Sequence, residues 1–151
     1  MPTVYSGGCA CGTIRYTCAA EPLFSFNCHC RACQRASGSG HAALLLVPTE
    51  AFTLTTGTLR YHRGTADSGQ TIERGFCPEC GSPLVLRGHR ASSFGFVGIM
   101  AASLDDPSRF RPTANFWTSM AQPWTVMDSK LTKWEQSFTE DQLKEVLTSR
   151  E

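Results

Sequence analysis

The sequence lacks a long hydrophobic run. Its longest uninterrupted apolar stretch, from Ala42 to Val47, is far shorter than the roughly 20 residues that a membrane-spanning helix requires. We therefore expect no membrane partner and interpret this stretch as a buried strand. The N-terminal residues also lack a basic segment followed by an apolar one, which a secretory signal would need. The sequence thus predicts a cytoplasmic protein.

An excess of charge of one sign is equally absent. The 14 lysines and arginines nearly balance the 13 acidic residues, and the formal net charge is +1 at pH 7. No cluster of lysines and arginines is long enough to bind a phosphate backbone by charge alone, so no nucleic-acid partner is expected. The chain has 151 residues, 41% of them hydrophobic, with no repeat, low-complexity tract or linker. It is therefore predicted to form one domain over residues 1–151.

Cysteine, by contrast, is abundant, and its distribution is the most informative feature of the chain. Seven of the eight cysteines lie in three clusters: Cys9-Ala-Cys11, Cys28-His-Cys30-Arg-Ala-Cys33 and Cys77-Pro-Glu-Cys80. Without an export signal, these thiols are expected to stay reduced and to bind metal rather than to form disulfides. Four thiolates close a tetrahedral zinc site, whereas three leave one position open. Two pairs and one triplet therefore suggest one metal that builds the fold and a second that could do chemistry.

The two cysteine pairs share a turn signature. A glycine directly follows the second cysteine of each pair, at Gly12 and at Gly81. Glycine permits the positive φ of a tight turn that aims backbone N–H groups at the sulfurs, as in a zinc knuckle. We therefore predict a structural zinc site that joins the two pairs and closes a long loop of the chain. Its predicted ligands are Cys9, Cys11, Cys77 and Cys80.

The triplet of Cys28, Cys30 and Cys33 leads into a segment that reads as a short helical turn before Gly38. Cys30 and Cys33 would then lie on one face of the turn near its N-terminus, where free N–H groups stabilise thiolates. Three thiolates on zinc make an electron-rich centre that polarises water poorly. This disfavours metal-assisted hydrolysis and favours chemistry on a bound thiol.

Several neighbours of the triplet leave its role open. Cys18, His29 or His41 could complete it as a second closed structural site. Cys18 is predicted on the apolar face of a strand, where a buried cysteine is usually unliganded, and His29 is expected to point away from a metal that its neighbours hold. Arg31 and Arg35 are close enough in sequence to offset the negative charge of the centre.

Most of the remaining chain reads as short strands separated by turn signals, which indicates an all-β sandwich or barrel. The predicted strands are residues 13–18, 41–47, 51–55, 59–62, 71–76, 83–87 and 94–101. Asp106 before Pro107 predicts a short helical turn that the aspartate caps.

The end of the chain has helical character. Thr139-Glu-Asp-Gln142 is a capping-box pattern. Leu143, Val146 and Leu147 then form one apolar stripe. Residues 140–149 are therefore predicted to form an amphipathic helix that docks on the sheet or on a partner subunit.

Three groups of motifs resemble one known family. They are Gly7-Gly-Cys-Ala-Cys-Gly12, Cys28-His-Cys-Arg-Ala-Cys33 with Ser37-Gly38, and Phe76-Cys-Pro-Glu-Cys-Gly81 with Pro83-Leu84. The chain resembles the glutathione-dependent formaldehyde-activating enzymes, a family that also takes in centromere protein V. The resemblance extends over about residues 5–135 and rests on three cysteine motifs in the same order.

The resemblance implies a zinc-bearing β-tent fold, mainly β and built of short antiparallel strands. It also implies a structural zinc ion on the two pairs and a catalytic zinc ion on Cys28, Cys30 and Cys33, hence two zinc ions per chain. The family's named activity is the reversible addition of glutathione to formaldehyde, a carbon–sulfur lyase reaction that gives S-hydroxymethylglutathione. The implied partners are a small thiol and a small aldehyde. Cationic candidates for a carboxylate on the thiol are Arg31, Arg35, Arg74 and Arg87.

The alternative hypothesis is a non-catalytic, zinc-stabilised binding or scaffold module. Aromatic residues near the C-terminal third could form a protein-binding surface, although such residues more often belong to a core. These residues are Phe116, Trp117, Trp124 and Trp134. A third hypothesis is a redox enzyme whose triplet cycles between thiol and disulfide without metal. A homo-oligomer is also considered, because an exposed strand edge or the final helix could pair subunits.

Overall fold

A computed structural model describes residues 2–148, which fold into two β-sheets with short helices between the strands. The smaller sheet has three strands in the order β1-β2-β5, and the larger has eight in the order β11-β10-β3-β4-β9-β8-β7-β6. The strands are β1 (Tyr5–Gly8), β2 (Arg15–Cys18), β3 (Phe24–Cys28), β4 (Ala42–Pro48), β5 (Phe52–Thr56), β6 (Arg60–Thr65), β7 (Thr71–Phe76), β8 (Pro83–Gly88), β9 (Phe96–Met100), β10 (Ala114–Phe116) and β11 (Thr132–Lys133). The prediction of a mainly β fold is confirmed.

Antiparallel ladders join most neighbouring strands of both sheets. Strand β10 differs, since it runs parallel to β3 and to β11 at one edge of the larger sheet. The helices are α1 (Arg31–Ser37), α2 (His89–Ser93) and α3 (Glu140–Thr148). None of the helices within residues 2–148 combines the length and the apolar character needed to cross a bilayer.

The main core lies where the two sheets face each other. Tyr16 of β2 is 1% exposed, and Leu45 and Val47 of β4 and Ile99 of β9 are buried with it. Strands β4 and β9 are the two central strands of the larger sheet, and β4 is buried along nearly its whole length. A strand buried on both faces needs apolar residues at consecutive positions. This explains the continuous apolar run in the sequence.

The observed strands follow the predicted ones closely in the middle of the chain. Strand β7 has the predicted bounds. The strand predicted at 41–47 is shifted by one residue toward the C-terminus, and the strand predicted at 83–87 is one residue longer at that end. Strands β1, β3, β10 and β11 are not among the predicted strands. Strand β1 is half glycine, which has low strand propensity, and β3 buries the polar Ser25 where alternation would place an apolar residue.

Helix α3 begins with the predicted capping box. The backbone N–H of Gln142 donates to Oγ1 of Thr139 at 3.3 Å, and the N–H of Thr139 donates to Oε1 of Gln142 at 2.9 Å. Leu143 is buried, so the helix does dock through its first turn. Residue 149 of the predicted helix and the side chains of Val146 and Leu147 lie outside the described part of the chain. The turn after Asp106 is also capped as predicted, through the N–H of Ser108.

The capping box gives a first testable prediction. Thr139→Ala removes the acceptor for the N–H of Gln142 and is expected to lower the free energy of unfolding by about 1 kcal/mol. Urea unfolding followed by circular dichroism would measure the change. Thr148→Ala is the matched control, because the Thr148 hydroxyl bonds to carbonyls within the helix instead of capping it. An equal loss in both variants would contradict the assigned cap.

Candidate metal centres

The two cysteine pairs converge on one point, as predicted. The sulfurs of Cys9, Cys11, Cys77 and Cys80 all lie within 4.8 Å of one another. The Sγ atoms of Cys9 and Cys11 are 3.5 Å apart, and those of Cys11 and Cys77 are 3.8 Å apart. A tetrahedral zinc ion with Zn–S bonds of about 2.3 Å requires sulfur–sulfur distances of roughly 3.8 Å. The four donors therefore fit a tetrahedral metal site.

The turns that carry these pairs have the predicted glycine conformation. Gly12 has a φ of 81° and Gly81 a φ of 76°. The N–H of Gly81 donates to the Cys77 carbonyl at 2.8 Å and closes the second turn. The N–H of Ile14 points at the Cys9 sulfur at 3.2 Å. Such donors favour the thiolate form that a metal needs.

Ser82 favours the thiolate form of Cys80 in the second pair. Its hydroxyl and its backbone N–H lower the pKa of Cys80 to about 5. Cys80 is exposed, whereas Cys77 is fully buried at the end of β7. Cys9 follows β1 of the smaller sheet, so this four-cysteine cluster links the two sheets. The structural role that the sequence predicts for this cluster stays a prediction.

The triplet forms a second cluster, buried more deeply than the first. The sulfurs of Cys28, Cys30 and Cys33 lie within 4.8 Å of one another. The three residues are between 4% and 8% exposed. Cys28 ends strand β3, Cys30 is the residue before helix α1, and Cys33 lies in the first turn of that helix. Three soft donors this close together fit a metal such as Zn²⁺ and leave one tetrahedral position for another ligand.

Helix α1 confirms the predicted short helical turn. The Cys30 sulfur accepts a hydrogen bond from the N–H of Cys33 at 3.3 Å and so caps the helix. Gly38 ends the helix in the left-handed conformation, with a φ of 68°. Hydrogen bonds from Cys28 and Cys33 lower the pKa of Cys30 to about 2. The same contacts with Cys30 and Cys33, together with burial, raise the pKa of Cys28 well above its ordinary value.

The three residues considered as fourth ligands lie elsewhere. Within residues 2–148, no further Cys, His, Asp or Glu side chain joins the triplet at that spacing. Cys18 is buried in the main core and donates to the Ala20 carbonyl. The Nε2 atom of His29 lies 2.9 Å from Oδ1 of Asn115, and the His29 ring packs on His41 with centroids 5.1 Å apart. The triplet is therefore open on the protein side.

Two cavities reach the triplet, one at Cys33 and one at Cys28. One, of about 210 Å³, is lined by Cys33, Arg74, His62 and Met100, among others. The other, of about 170 Å³, is lined by Cys28 and a group of aromatic rings. These rings are Phe24, Phe26, Phe116, Trp117 and Phe138. Each cavity therefore has room for a small molecule beside the triplet.

Only one of the four candidate arginines lines the cavity at Cys33. Arg74 of β7 does so, and its Nη2 atom is buried without a hydrogen-bond partner among the residues that the structure describes. Arg31 and Arg35 are exposed on helix α1, and Arg31 donates to Oε1 of Gln34. Arg87 stacks on the Tyr61 ring at 4.2 Å. The structure thus separates Arg74 from the other three.

Two residues that position the triplet were not identified from the sequence. Gln34 is buried on α1 and donates from Nε2 to the carbonyls of His29 and Met120, at 2.7 and 2.9 Å. Asp67, in the loop between β6 and β7, accepts from the N–H of Ala32 at 2.9 Å. Both hold helix α1 against the rest of the fold. The contacts of Gln34 with Met120 and of Asp67 with Ala32 join residues that are distant in sequence, so no local signal marks them.

The comparisons with known proteins agree with the cysteine pattern. The sequence profile of the family named glutathione-dependent formaldehyde-activating enzyme matches residues 4–120, a span that includes every cysteine of both clusters. The chain belongs to the glutathione-dependent formaldehyde-activating enzyme family. The resemblance inferred from the motifs is therefore confirmed.

A solved structure extends this similarity to the fold. A Rhodobacter sphaeroides protein, a structural genomics target, is similar to the chain with a TM-score of 0.54 and 16% sequence identity. The alignment covers 85% of this chain and 98% of that protein. At this identity the likeness concerns the fold alone. A search of the curated proteins gives no match. Membership of the formaldehyde-activating family thus indicates a function related to glutathione and formaldehyde.

Proposed function

We propose that this protein is a zinc-dependent carbon–sulfur lyase that joins a small thiol to a small aldehyde and cleaves the product. In the forward direction the thiol sulfur attacks the carbonyl carbon, a C–S bond forms and the C=O π bond breaks. The thiol proton ends on the carbonyl oxygen, so the product is a hemithioacetal. The observation that supports this reaction best is the triplet, which is buried, open on the protein side and flanked by cavities.

The proposal assigns one zinc ion to each cysteine cluster. The four-cysteine cluster would hold a structural ion, because all four tetrahedral positions are filled by protein sulfurs. Cys28, Cys30 and Cys33 would hold the catalytic ion. Zinc bound by the triplet would keep a substrate thiol deprotonated at neutral pH while leaving it nucleophilic.

The chain's own residues contribute shape and exclusion of water. The triplet is almost fully buried, so a reacting thiol there would be shielded from bulk solvent. Gln34 fixes helix α1 through two backbone carbonyls, and this fixes Cys30 and Cys33 relative to Cys28. One cavity is lined by Cys33 and the other by Cys28, so two small molecules could each reach the triplet.

This proposal predicts both a metal content and a turnover. Protein purified without chelator and kept reduced is expected to contain about two zinc ions per chain by mass spectrometry of the metal. The zinc-loaded protein is expected to speed the loss of free thiol in the presence of formaldehyde, relative to buffer alone. About one zinc ion per chain and no rate above buffer would instead support a structural module or a metal-free thiol cluster.

One observation favours the alternative of a binding module. Trp124 is 68% exposed and Val126 is 92% exposed, on a loop remote from the cysteine clusters in sequence. Phe116, by contrast, is buried, so the aromatic group of the sequence divides between core and surface. A Trp124→Ser variant with full thiol–aldehyde turnover would show that this surface is separate from any catalysis.

Assembly into a homo-oligomer stays a prediction, which analytical ultracentrifugation would test.

A further inference from the structure

Arg74 carries a buried donor that nothing in the described part of the chain satisfies. Its Nη2 atom has no hydrogen-bond partner, and the ion pairs found within residues 2–148 do not include it. Leaving a buried cationic donor unpaired is costly, so such groups are normally matched by an anion or an acceptor. The missing partner therefore points to a ligand.

The triplet sulfurs do not supply that partner. Within residues 2–148, no sulfur accepts a hydrogen bond from Nη2 of Arg74. A metal-bound triplet would add a diffuse negative charge near Arg74 but no oxygen to accept its N–H group. The guanidinium is built to bind a planar carboxylate with two parallel hydrogen bonds.

The register of the strands places Arg74 in the cavity at Cys33. Arg74 pairs with Leu86 of β8 and with His62 of β6, and all three residues line this cavity. Apolar groups of Val85 and Met100 form much of the remaining wall. A ligand held here would have an anionic end at Arg74, an apolar stem along the wall and a second end at Cys33.

We propose that Arg74 binds the carboxylate of a short mercapto acid whose sulfur reaches the triplet. The inference rests on the proposed function, because the sulfur is the reacting atom. The cavity of about 210 Å³ is smaller than the roughly 300–1,000 Å³ typical of sites for drug-sized ligands, which suits a three- or four-carbon mercapto acid. Arg74 is thus a positioning and specificity-determining residue: it selects acid thiols over neutral ones.

The test compares two thiols of equal length, one ending in a carboxylate and the other in a neutral amide. Calorimetric titration of the zinc-loaded protein with 3-mercaptopropionate and with 3-mercaptopropionamide gives the preference for the acid. We expect the acid to bind roughly tenfold to a hundredfold more tightly, the value of a hydrogen-bonded charge pair. Arg74→Gln should abolish this preference, and Arg74→Lys should retain part of it.

Arg87→Gln is the matched control. It removes the same charge from the neighbouring strand, at a residue that stacks on Tyr61 and does not line the cavity. The preference for the acid should persist in this variant. Zinc content and circular dichroism of each variant, equal to those of the parent, would show that the fold is kept.

The outcomes separate this inference from the proposed function. Equal affinity for both thiols, or a preference that persists in Arg74→Gln, overturns the role of Arg74 while thiol–aldehyde turnover can still stand. If neither thiol binds, the proposed function fails, and propanoate then tests the anion site by itself. Propanoate binding that Arg74→Gln abolishes supports that site, and absence of propanoate binding overturns it.

Discussion

Replacement of Cys77 by serine is expected to unfold the protein and to lower its zinc content by about one ion per chain. Cys77 is fully buried, and its sulfur is one of four that meet between the two sheets. A neutral serine hydroxyl does not replace a thiolate ligand, so the structural site would lose its metal. Structural zinc sites contribute about 10 kcal/mol or more to folding, which is as large as the whole stability of a typical domain.

Thermal unfolding followed by circular dichroism would measure this effect, with zinc content determined on the same sample. Cys18→Ser is the control, because Cys18 is equally buried but lies outside both cysteine clusters. That variant is expected to lose some stability, as a buried hydroxyl replaces a thiol, and to keep its full zinc content. A Cys77→Ser protein that keeps the parent's melting temperature would rule out a structural role for the four-cysteine cluster.

The four-cysteine cluster could be predicted from sequence because its signals are local. Each pair carries its own turn, and the glycines at 12 and 81 adopt the positive φ that the pattern indicated. The pairing of two similar turns then follows from the chemistry of zinc, which needs four ligands. Helix α1 was predictable for the same reason, since Cys30 and Gly38 mark its two ends within a few residues.

The residues around the triplet could not be predicted from such local signals. Four arginines satisfied the sequence criteria for a cationic group, but only strand register decides which side chain enters a cavity. Arg74 and Arg87 lie on adjacent strands and have different environments. Gln34 bonds to Met120 and Asp67 to Ala32, and these residues come together only in the folded chain. The metal ligands could therefore be predicted from local spacing, whereas the side chains that distant strands bring to the triplet could not.

Replacement of Cys30 by serine is expected to give the opposite result to replacement of Cys77. Cys30 caps helix α1 through its sulfur, and serine is among the best residues for that position. The cap would therefore be kept while a thiolate ligand of the triplet is lost. We expect a folded protein with about one zinc ion per chain whose thiol–aldehyde turnover falls more than about a hundredfold, since even outer contacts of a metal site cost up to that much.

The alanine variant at the same position separates the cap from the ligand. Cys30→Ala removes both, so it should match Cys30→Ser in lost turnover and fall about 1 kcal/mol below it in stability. Steady-state rates with formaldehyde and a small thiol, together with urea unfolding, would measure the two effects. Unfolding of Cys30→Ser to the extent of Cys77→Ser would make the triplet a second structural site. Turnover that survives in a folded Cys30→Ser protein would place the reaction elsewhere. Only the combination of a kept fold and a lost rate assigns chemistry to the triplet, because a metal that merely holds the chain together would take both away at once.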